Sequence, residues 1–279
     1  MPFPGVSAVL ENGEKLGLWR FVRLGGSRVV IPPADIYLFG AWHPGYQHLL
    51  GLGGRLGVLH TSSIGEMDFT PVEWGYLDGV LLDPRIEFVW FGDPALARLF
   101  PQKGFYAPYP LACLEPLDME KQDIITLFCP GGPKKNLANQ LAAVALVQRE
   151  MALTLHTNLG EYERVMRALG VKYVLHPWLP RADYHRLLAS ARVNLAISWS
   201  ETFNYQVAEA AFLGVPSAVS PAVEWMPEHC KVLNPNSPEE IAKKALALVR
   251  GPTDIREWVE RVAQSQNAVL THALERFTR

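Results

Sequence analysis

Two carboxylates in the second half of the chain are spaced so that they can act at one site. Glu201 and Glu209 are separated by seven residues, within the stretch 198–216. An apolar run precedes Glu201, and Glu209 lies on a predicted helix, where its carboxylate can accept two hydrogen bonds from vicinal hydroxyls such as those of a ribose. A plainer alternative stays open, in which Glu201 is a solvated loop acid and Glu209 pairs with a nearby cation.

The predicted helix between the two glutamates starts at Asn204, a residue type that favours the N-cap position. If Asn204 caps the helix, the backbone N–H groups of residues 205–207 are the unpaired donors of its first turn. Together with the helix dipole, these donors form a site for an anion. The sequence therefore predicts a place for a diphosphate beside Glu201.

A second stretch with suitable chemistry runs from Cys129 to Asn136, where a strand ends in a turn of small residues. Gly131 and Gly132 form this turn, and Lys134 and Lys135 follow it. The spacing is not that of a Walker loop, but the turn suits a phosphate. Because ligands of open α/β sheets bind at the carboxyl ends of the strands, we expect these lysines to face the Glu201 loop. On a helix adjacent residues point about 100° apart, so only one of the two is expected to face the site.

The elements that must position these residues alternate between strands and helices. Short apolar runs cover residues 124–129, 153–157, 171–176, 193–198 and 215–220. Amphipathic segments lie between them, one of which starts after Asn136 as a plausible N-cap and another of which includes Tyr184 and Leu188. This alternation predicts an α/β fold with a parallel sheet.

The first half of the chain predicts a smaller α/β unit. Its apolar runs cover residues 35–40, 55–60 and 86–91, and glycines and prolines interrupt the rest. The aperiodic, proline-rich stretch 108–123 is typical of a linker. We therefore divide the chain into a domain at 1–115, a second domain at 120–255 and a C-terminal segment at 256–279. The aromatic residues Trp74, Trp90 and Tyr109 are expected in the core.

Composition excludes several classes of function. The chain has 279 residues, a formal net charge of −2 and no long cationic run, so nucleic acid is not an expected partner. No apolar stretch is long enough to span a membrane and no signal peptide is recognisable, which predicts a cytoplasmic protein. The three cysteines lack metal-binding or redox spacing and are expected to be reduced. An oligomer remains possible.

The stretch 171–216 carries a family resemblance. Its strand, its Pro-Trp-Leu-Pro turn, its following helix and strand, and its Ser-Glu-Thr-Phe-Asn…Glu-Ala-Ala-Phe-Leu-Gly-Val-Pro sequence resemble the C-terminal domain of GT-B glycosyltransferases, most of all retaining family 4. The family motif, two glutamates separated by seven residues, matches Glu201 and Glu209. The resemblance covers roughly residues 123–249, and residues 258–277 resemble the terminal helix that often crosses back to the N-terminal domain.

The resemblance implies a role for each matching residue. Glu201 contacts the donor sugar, Glu209 holds the ribose hydroxyls, and Lys134 or Lys135 neutralises the phosphates. The other implied positions form the lysine-bearing turn, the nucleobase loop and the path of the phosphates and sugar, and they are Gly131, Gly132, Trp178, Leu179, Thr202, Phe203 and Asn204.

In the first half of the chain the resemblance is fainter. The apolar runs resemble the later strands of the family's N-terminal domain, whereas the early strands and their Gly-rich loop have no counterpart, which implies a truncated acceptor domain. His60 falls where the family often places a histidine that faces the cleft, and it is a candidate to contact the acceptor. A histidine hydrogen-bonded to its own loop is the alternative.

These observations predict an α/β, GT-B-like protein with two Rossmann-like domains, of which the N-terminal one is truncated. The implied activity is transfer of a hexose from a nucleotide-diphosphate sugar to an unidentified acceptor, with retention of configuration. No cofactor and no metal are expected, since the sequence contains no Asp-x-Asp pair. The alternative is a catalytically impaired nucleotide-sugar-binding subunit that needs a partner to complete its cleft.

Overall fold

A computed structural model of the chain describes residues 4–19, 34–40, 54–67, 72–251 and 254–278. The chain divides into two compact units. The first unit comprises Met1–Ala112 and Ala263–Arg279, and the second comprises Cys113–Val262. No helix in the described ranges is long and apolar enough to cross a membrane.

The first unit contains a parallel sheet whose four strands are adjacent in chain order. The strands are β1 (Ile36–Phe39), β2 (Arg55–His60), β3 (Phe88–Phe91) and β4 (Gly104–Tyr106). The helices of this unit are α1 (Pro4–Lys15), α2 (Ile64–Met67), α3 (Val72–Leu82) and α4 (Pro94–Leu99). The three predicted apolar runs thus coincide with β1, β2 and β3.

The core of the first unit forms where these strands meet the helices. Val58, Phe91 and Leu96 are fully buried in it. Trp90 and Tyr109 are also buried, as expected, and the Trp90 indole N–H donates to the carbonyl of Ala107 at 2.8 Å. The expectation for Trp74 is wrong, because this side chain is exposed on α3.

The second unit contains a five-stranded parallel sheet, as the alternating pattern predicted. The strands are β5 (Ile124–Leu127), β6 (Thr154–Thr157), β7 (Tyr173–Leu175), β8 (Val193–Ala196) and β9 (Ser217–Val219). The helices are α5 (Leu137–Glu150), α6 (Glu163–Ala168), α7 (Arg181–Ser190), α8 (Tyr205–Phe212) and α9 (Pro238–Arg250), and α10 (Ile255–Thr278) begins in this unit. Each predicted run is longer than its strand, because apolar residues continue into the loops.

The order of the strands in this sheet creates a crevice. The order is β7-β6-β5-β8-β9. Strands β6 and β7 therefore extend the sheet on one side of β5, and β8 and β9 extend it on the other. Backbone pairing of β5 with β8 covers Ile125 with Val193 and Thr126 with Asn194. The loops that follow β5 and β8 therefore flank a topological switch point, which is where open α/β sheets bind ligands.

Asn136 occupies the predicted N-cap position of α5 but does not act as predicted. Its backbone is left-handed (φ 49°), and its side chain makes no capping hydrogen bond. An N-cap residue normally has extended backbone that aims its side chain at the first helical amides, and Asn136 does not have this conformation. Its amide instead donates to the carbonyl of Pro235 at 2.6 Å and its oxygen accepts from Asn139 at 2.7 Å.

The helix predicted over residues 258–277 is present as α10. From Ala263 onward its residues belong to the first unit. There the Asn267 carboxamide bonds to the N–H and to the C=O of Leu111, both at 2.9 Å. A side chain that satisfies both polar groups of one backbone residue fixes that residue as a neighbouring strand would.

Candidate functional site

The turn after β5 has a backbone that only glycine adopts without strain. Gly131 has φ 81° and Gly132 has φ 98°. A Cβ at Gly131 would also lie 3.0 Å from Oε1 of Glu161. A 3-10 turn over Pro133–Lys135 follows, and it carries Lys135 towards the loop after β8. The chain thus needs both glycines to deliver this lysine.

Lys135 and Glu201 form an ion pair across the switch point. The side chains are only 13% and 8% exposed, so the alternative of a solvated Glu201 is wrong. Glu201 Oε1 also accepts from Ser198 Oγ at 2.6 Å and from Asn204 Nδ2 at 3.2 Å. Because a buried carboxylate is stable only when its lone pairs are satisfied, these three donors hold the charge in place.

Asn204 caps α8 as predicted. Its Oδ1 accepts from the N–H of Val207 at 3.2 Å, and its backbone is extended. The expectation that residues 205–207 all offer unpaired donors is therefore wrong for Val207, since the cap already uses that amide. The Asn204 side chain thus caps α8 with its oxygen and donates to Glu201 with its nitrogen. This places the Glu201 carboxylate near the amino end of α8, where the helix dipole favours negative charge.

Glu209 lies on α8 and faces α7. Its Oε1 accepts from Nη2 of Arg181 at 2.7 Å and lies 3.4 Å from Nε2 of His185. The cation pairing that the sequence left open is thus present. The two partners are four residues apart and share one face of α7, but the sequence did not reveal that α7 lies beside α8 at this point.

The loop between β7 and α7 carries Trp178 and Leu179. Trp178 is 67% exposed and Leu179 is half-buried. Arg181 follows directly as the first residue of α7. This loop is therefore connected through Arg181 to Glu209, and an exposed indole beside it offers a flat apolar surface to a ring.

The side chain of Phe203 packs inside the second unit. Its ring is buried and stacks on Trp225, with ring centroids 5.3 Å apart, and it meets Tyr205 edge-on at 5.0 Å. Packing of this kind fixes the loop between Glu201 and α8. Thr202, which is half-buried, lies in the same loop. Only the backbone of Phe203 remains available to a ligand.

Backbone and side-chain bonds tie the loops of the crevice together. The N–H of Trp199 donates to the carbonyl of Lys134 at 2.8 Å. The carboxamide of Asn158, just after β6, bonds to both the N–H and the C=O of Cys129 at 3.1 and 2.8 Å. These contacts, like those of Ser198, were not predicted from the sequence, although the Ser198–Glu201 spacing of three residues was visible.

His60, in the first unit, ends β2 and is 5% exposed. Its carbonyl accepts from the Tyr109 hydroxyl at 3.0 Å, and its ring meets Phe91 edge-on at 5.6 Å. Within the part of the chain that the structure describes, Nε2 is buried with no hydrogen-bond partner. Burial lowers the pKa of His60 to about 4, against the opposing pull of Glu66 and Asp93. The imidazole is therefore neutral at pH 7.

We expect His60 to make the first unit sensitive to acid. The folded pKa of about 4 lies below the ordinary 6.5, so between these values the unfolded chain binds the proton more tightly. The contribution of His60 to the free energy of unfolding therefore keeps its full value above pH 6.5. It decreases by roughly 3 kcal/mol as the pH falls towards 4, because the unfolded chain gains a proton that the folded His60 does not bind. The measurement is urea unfolding of the wild type and of His60→Gln between pH 7 and pH 4. Parallel losses of stability in the two proteins would contradict the prediction.

No family model matches the chain, and no curated protein matches it. Solved structures do. The chain is similar to a TarM mutant of S. aureus in complex with fondaparinux, alpha-GlcNAc-glycerol and UDP, with a TM-score of 0.64 and 12% identity over 98% of this chain and 58% of that chain. It is similar to the pneumococcal O-GlcNAc transferase GtfA in complex with UDP and GlcNAc, with a TM-score of 0.57 and 14% identity over 83% of this chain and 53% of that chain.

A third similar structure is a UDP-forming alpha,alpha-trehalose-phosphate synthase from Burkholderia xenovorans in complex with glucose-6-phosphate. The TM-score is 0.59 and the identity 12%, over 98% of this chain and 77% of that chain. The chain thus spans little more than half the length of the TarM and GtfA chains. All three are GT-B glycosyltransferases, and the predicted α/β, GT-B-like fold is confirmed. The chain has the fold of the GT-B glycosyltransferases.

Proposed function

We propose that the chain is a glycosyltransferase that uses a nucleoside-diphosphate sugar as donor and retains the configuration of the transferred hexose. The observation that carries the proposal is the contact of Lys135 with Glu201 at the switch point, together with Glu209 on the helix that Asn204 caps. These groups match the demands of a donor: a cation for the diphosphate and carboxylates for sugar and ribose hydroxyls.

The leaving diphosphate is the part of the reaction for which these residues are best suited. As the glycosidic bond breaks, negative charge grows on the departing phosphate oxygen. The Lys135 ammonium and the amino end of α8 both lie at the crevice and both favour that charge. Because both are held in place before the reaction, little reorganisation is needed when the charge appears.

Glu201 is proposed to bind the donor sugar. Three donors converge on its Oε1, which leaves Oε2 outside this set. That oxygen can accept a hydrogen bond from a sugar hydroxyl while the other keeps the carboxylate in place. Retention of configuration rests on the resemblance of the two-glutamate motif to family 4, and the anomeric configuration of the product, measured by NMR, tests it.

The similar structures indicate which nucleobase to test first, and His60 is the residue considered for the acceptor. The similar TarM and GtfA structures contain UDP, and the similar synthase is described as UDP-forming. UDP-sugars are therefore the first donors to test. His60 remains a candidate to contact the acceptor, and this contact requires its Nε2, which is buried in the structure, to become accessible.

A thermal-shift panel of UDP-, GDP-, ADP- and dTDP-sugars tests the proposal. A ligand at about one hundred times its dissociation constant adds roughly 2.7 kcal/mol to the stability of the folded state. Donor hydrolysis or transfer by the isolated chain then separates an enzyme from the alternative, a binding subunit that requires a partner. Binding without turnover favours the subunit, and the absence of any shift contradicts both.

We expect chelators to leave donor turnover unchanged. The proposed counter-charge for the diphosphate comes from Lys135 and from the amino end of α8, not from a metal ion. In the described ranges, no three His, Cys, Asp or Glu side chains converge as metal ligands would. The measurement is turnover before and after EDTA, with Mg²⁺ and Mn²⁺ added back. A loss with EDTA that Mn²⁺ restores would contradict this prediction.

A further inference from the structure

Gln140 is a buried polar residue that none of the proposed roles uses. It lies in the first turn of α5 and is 2% exposed. Its Nε2 donates to the carbonyl of Lys135 at 2.7 Å and to that of Ile197 at 3.1 Å. Its Oε1 accepts from the N–H of Ile197 at 3.0 Å. One carboxamide thus binds the main chain of both loops that flank the crevice.

The position of Gln140 follows from the end of the β5–β8 pairing. The backbone pairs of these strands stop at Thr126 and Asn194. Ile197 lies three residues further along, and the Gln140 carboxamide supplies its N–H and its C=O with partners. Buried backbone groups need such partners. The Gln140 side chain therefore makes the hydrogen bonds that a neighbouring strand would make, at the point where β5 and β8 separate.

The bonds of Gln140 fix the backbone of Lys135 and the backbone that leads to Glu201. Gln140 holds the carbonyl of Lys135 itself, and it holds Ile197, the residue before Ser198. The Ser198 hydroxyl in turn donates to Glu201 at 2.6 Å. The Gln140 amide therefore helps to set the separation of the Lys135 ammonium from the Glu201 carboxylate, together with the bond from the N–H of Trp199 to the carbonyl of Lys134.

We propose that Gln140 is a positioning residue that keeps Lys135 and the Glu201 loop in register for donor turnover. The inference rests on the proposed function, because it assigns Gln140 a role only through Lys135 and Glu201. A displacement of about 1 Å at a reacting group can lower a rate by about 100-fold. Loss of the amide is thus expected to affect catalysis beyond its effect on folding.

Gln148 provides a matched control on the same helix. Its Nε2 donates to the carbonyl of Lys172 and its Oε1 accepts from the N–H of Lys172, both at 2.8 Å. It therefore makes the same two-sided contact with one backbone residue, at the start of β7 and away from the crevice. The Gln148 bonds are exposed to solvent, so the two variants can differ in stability. A purely structural role predicts the same kcat per folded molecule in both variants, whereas a positioning role predicts a lower kcat for Gln140 alone.

The experiment compares Gln140→Met with Gln148→Met in donor turnover. We expect Gln140→Met to lower kcat about 10- to 100-fold per folded molecule, and Gln148→Met to leave kcat unchanged. In a Lys135→Ala background, Gln140→Met should add a smaller loss of kcat than it causes in the wild type, because one of the two groups that it positions is gone. Equal kcat values in the two methionine variants, or additive losses in the double variant, would overturn the inference.

The variant Gln140→Glu covers the case in which methionine prevents folding. The new carboxylate still accepts from Ile197, but it donates to neither carbonyl until it is protonated. Its kcat per folded molecule, relative to the wild type, should therefore recover in part as the pH falls, because the protonated carboxyl can donate to one of the two carbonyls. A role in folding alone would change the folded fraction and leave this ratio constant. A ratio that is flat with pH counts against the inference.

Binding of UDP, measured by calorimetry, separates this inference from the proposed function. If the wild type binds UDP but turns over no donor, the catalytic proposal fails, and the inference is then judged by affinity. In that case Gln140→Met should weaken UDP binding as Lys135→Ala does, and Gln148→Met should not. A wild type that binds no nucleoside diphosphate contradicts both proposals.

Discussion

The substitution Lys135→Ala is expected to lower kcat for donor turnover by about 100- to 1,000-fold, which is the usual loss when one preorganised donor to a developing negative charge is removed. The ammonium contacts Glu201 at the crevice, and under the proposed function this is where a departing diphosphate would gain charge. An interaction that strengthens in the transition state affects kcat more than KM. Steady-state kinetics with a UDP-sugar provide the measurement.

Lys134→Ala is the control for this prediction. The two lysines share a 3-10 turn rather than the α-helix assumed from the sequence, so their side chains diverge by about 120°. The carbonyl of Lys134 accepts from the N–H of Trp199, and alanine keeps that carbonyl. We expect kcat of Lys134→Ala to stay close to that of the wild type. Wild-type rates in both variants would remove this loop from the active site.

Much of the site could be predicted because strand order and local capping determine it. Five apolar runs separated by amphipathic segments predict a parallel sheet, and that sheet brings the loops after β5 and β8 to one edge. The contact of Lys135 with Glu201 follows from this topology once both loops are recognised. The cap at Asn204 could be predicted because it depends on residues only three apart.

The contacts that escaped prediction join residues that are distant in the chain or adopt unusual backbone. Arg181 reaches Glu209 only because α7 and α8 are adjacent, which no periodicity reports. Gln140 looks like an ordinary helical polar residue until its position beneath two loops is known. Asn136 has the residue type of a cap but a left-handed backbone, because the 3-10 turn before it changes the direction of the chain.

Glu209→Ala is expected to weaken UDP binding by roughly 10- to 150-fold, since hydrogen bonds to a charged group contribute about 1.5 to 3 kcal/mol. Arg181 and His185 both face this carboxylate. A ribose that binds there shares Oε1 with Arg181 or displaces it, and alanine instead leaves two basic side chains without their acid. Calorimetry with UDP measures the affinity, and the unfolding midpoint shows that the variant is folded.

The control for Glu209 is Glu163→Ala, which removes a similar ion pair from the same unit. Glu163 Oε1 accepts from Nη2 of Arg167 at 2.7 Å, the distance found between Glu209 and Arg181. That pair lies on α6 and is exposed to solvent, so its loss should leave the affinity for UDP unchanged. Unchanged affinity in both variants would refute the assignment of Glu209 to the ribose. Equal losses of UDP affinity in both variants would point instead to a general effect of the lost negative charge. Only a direct contact with UDP would make the loss at Glu209 larger than the loss at Glu163.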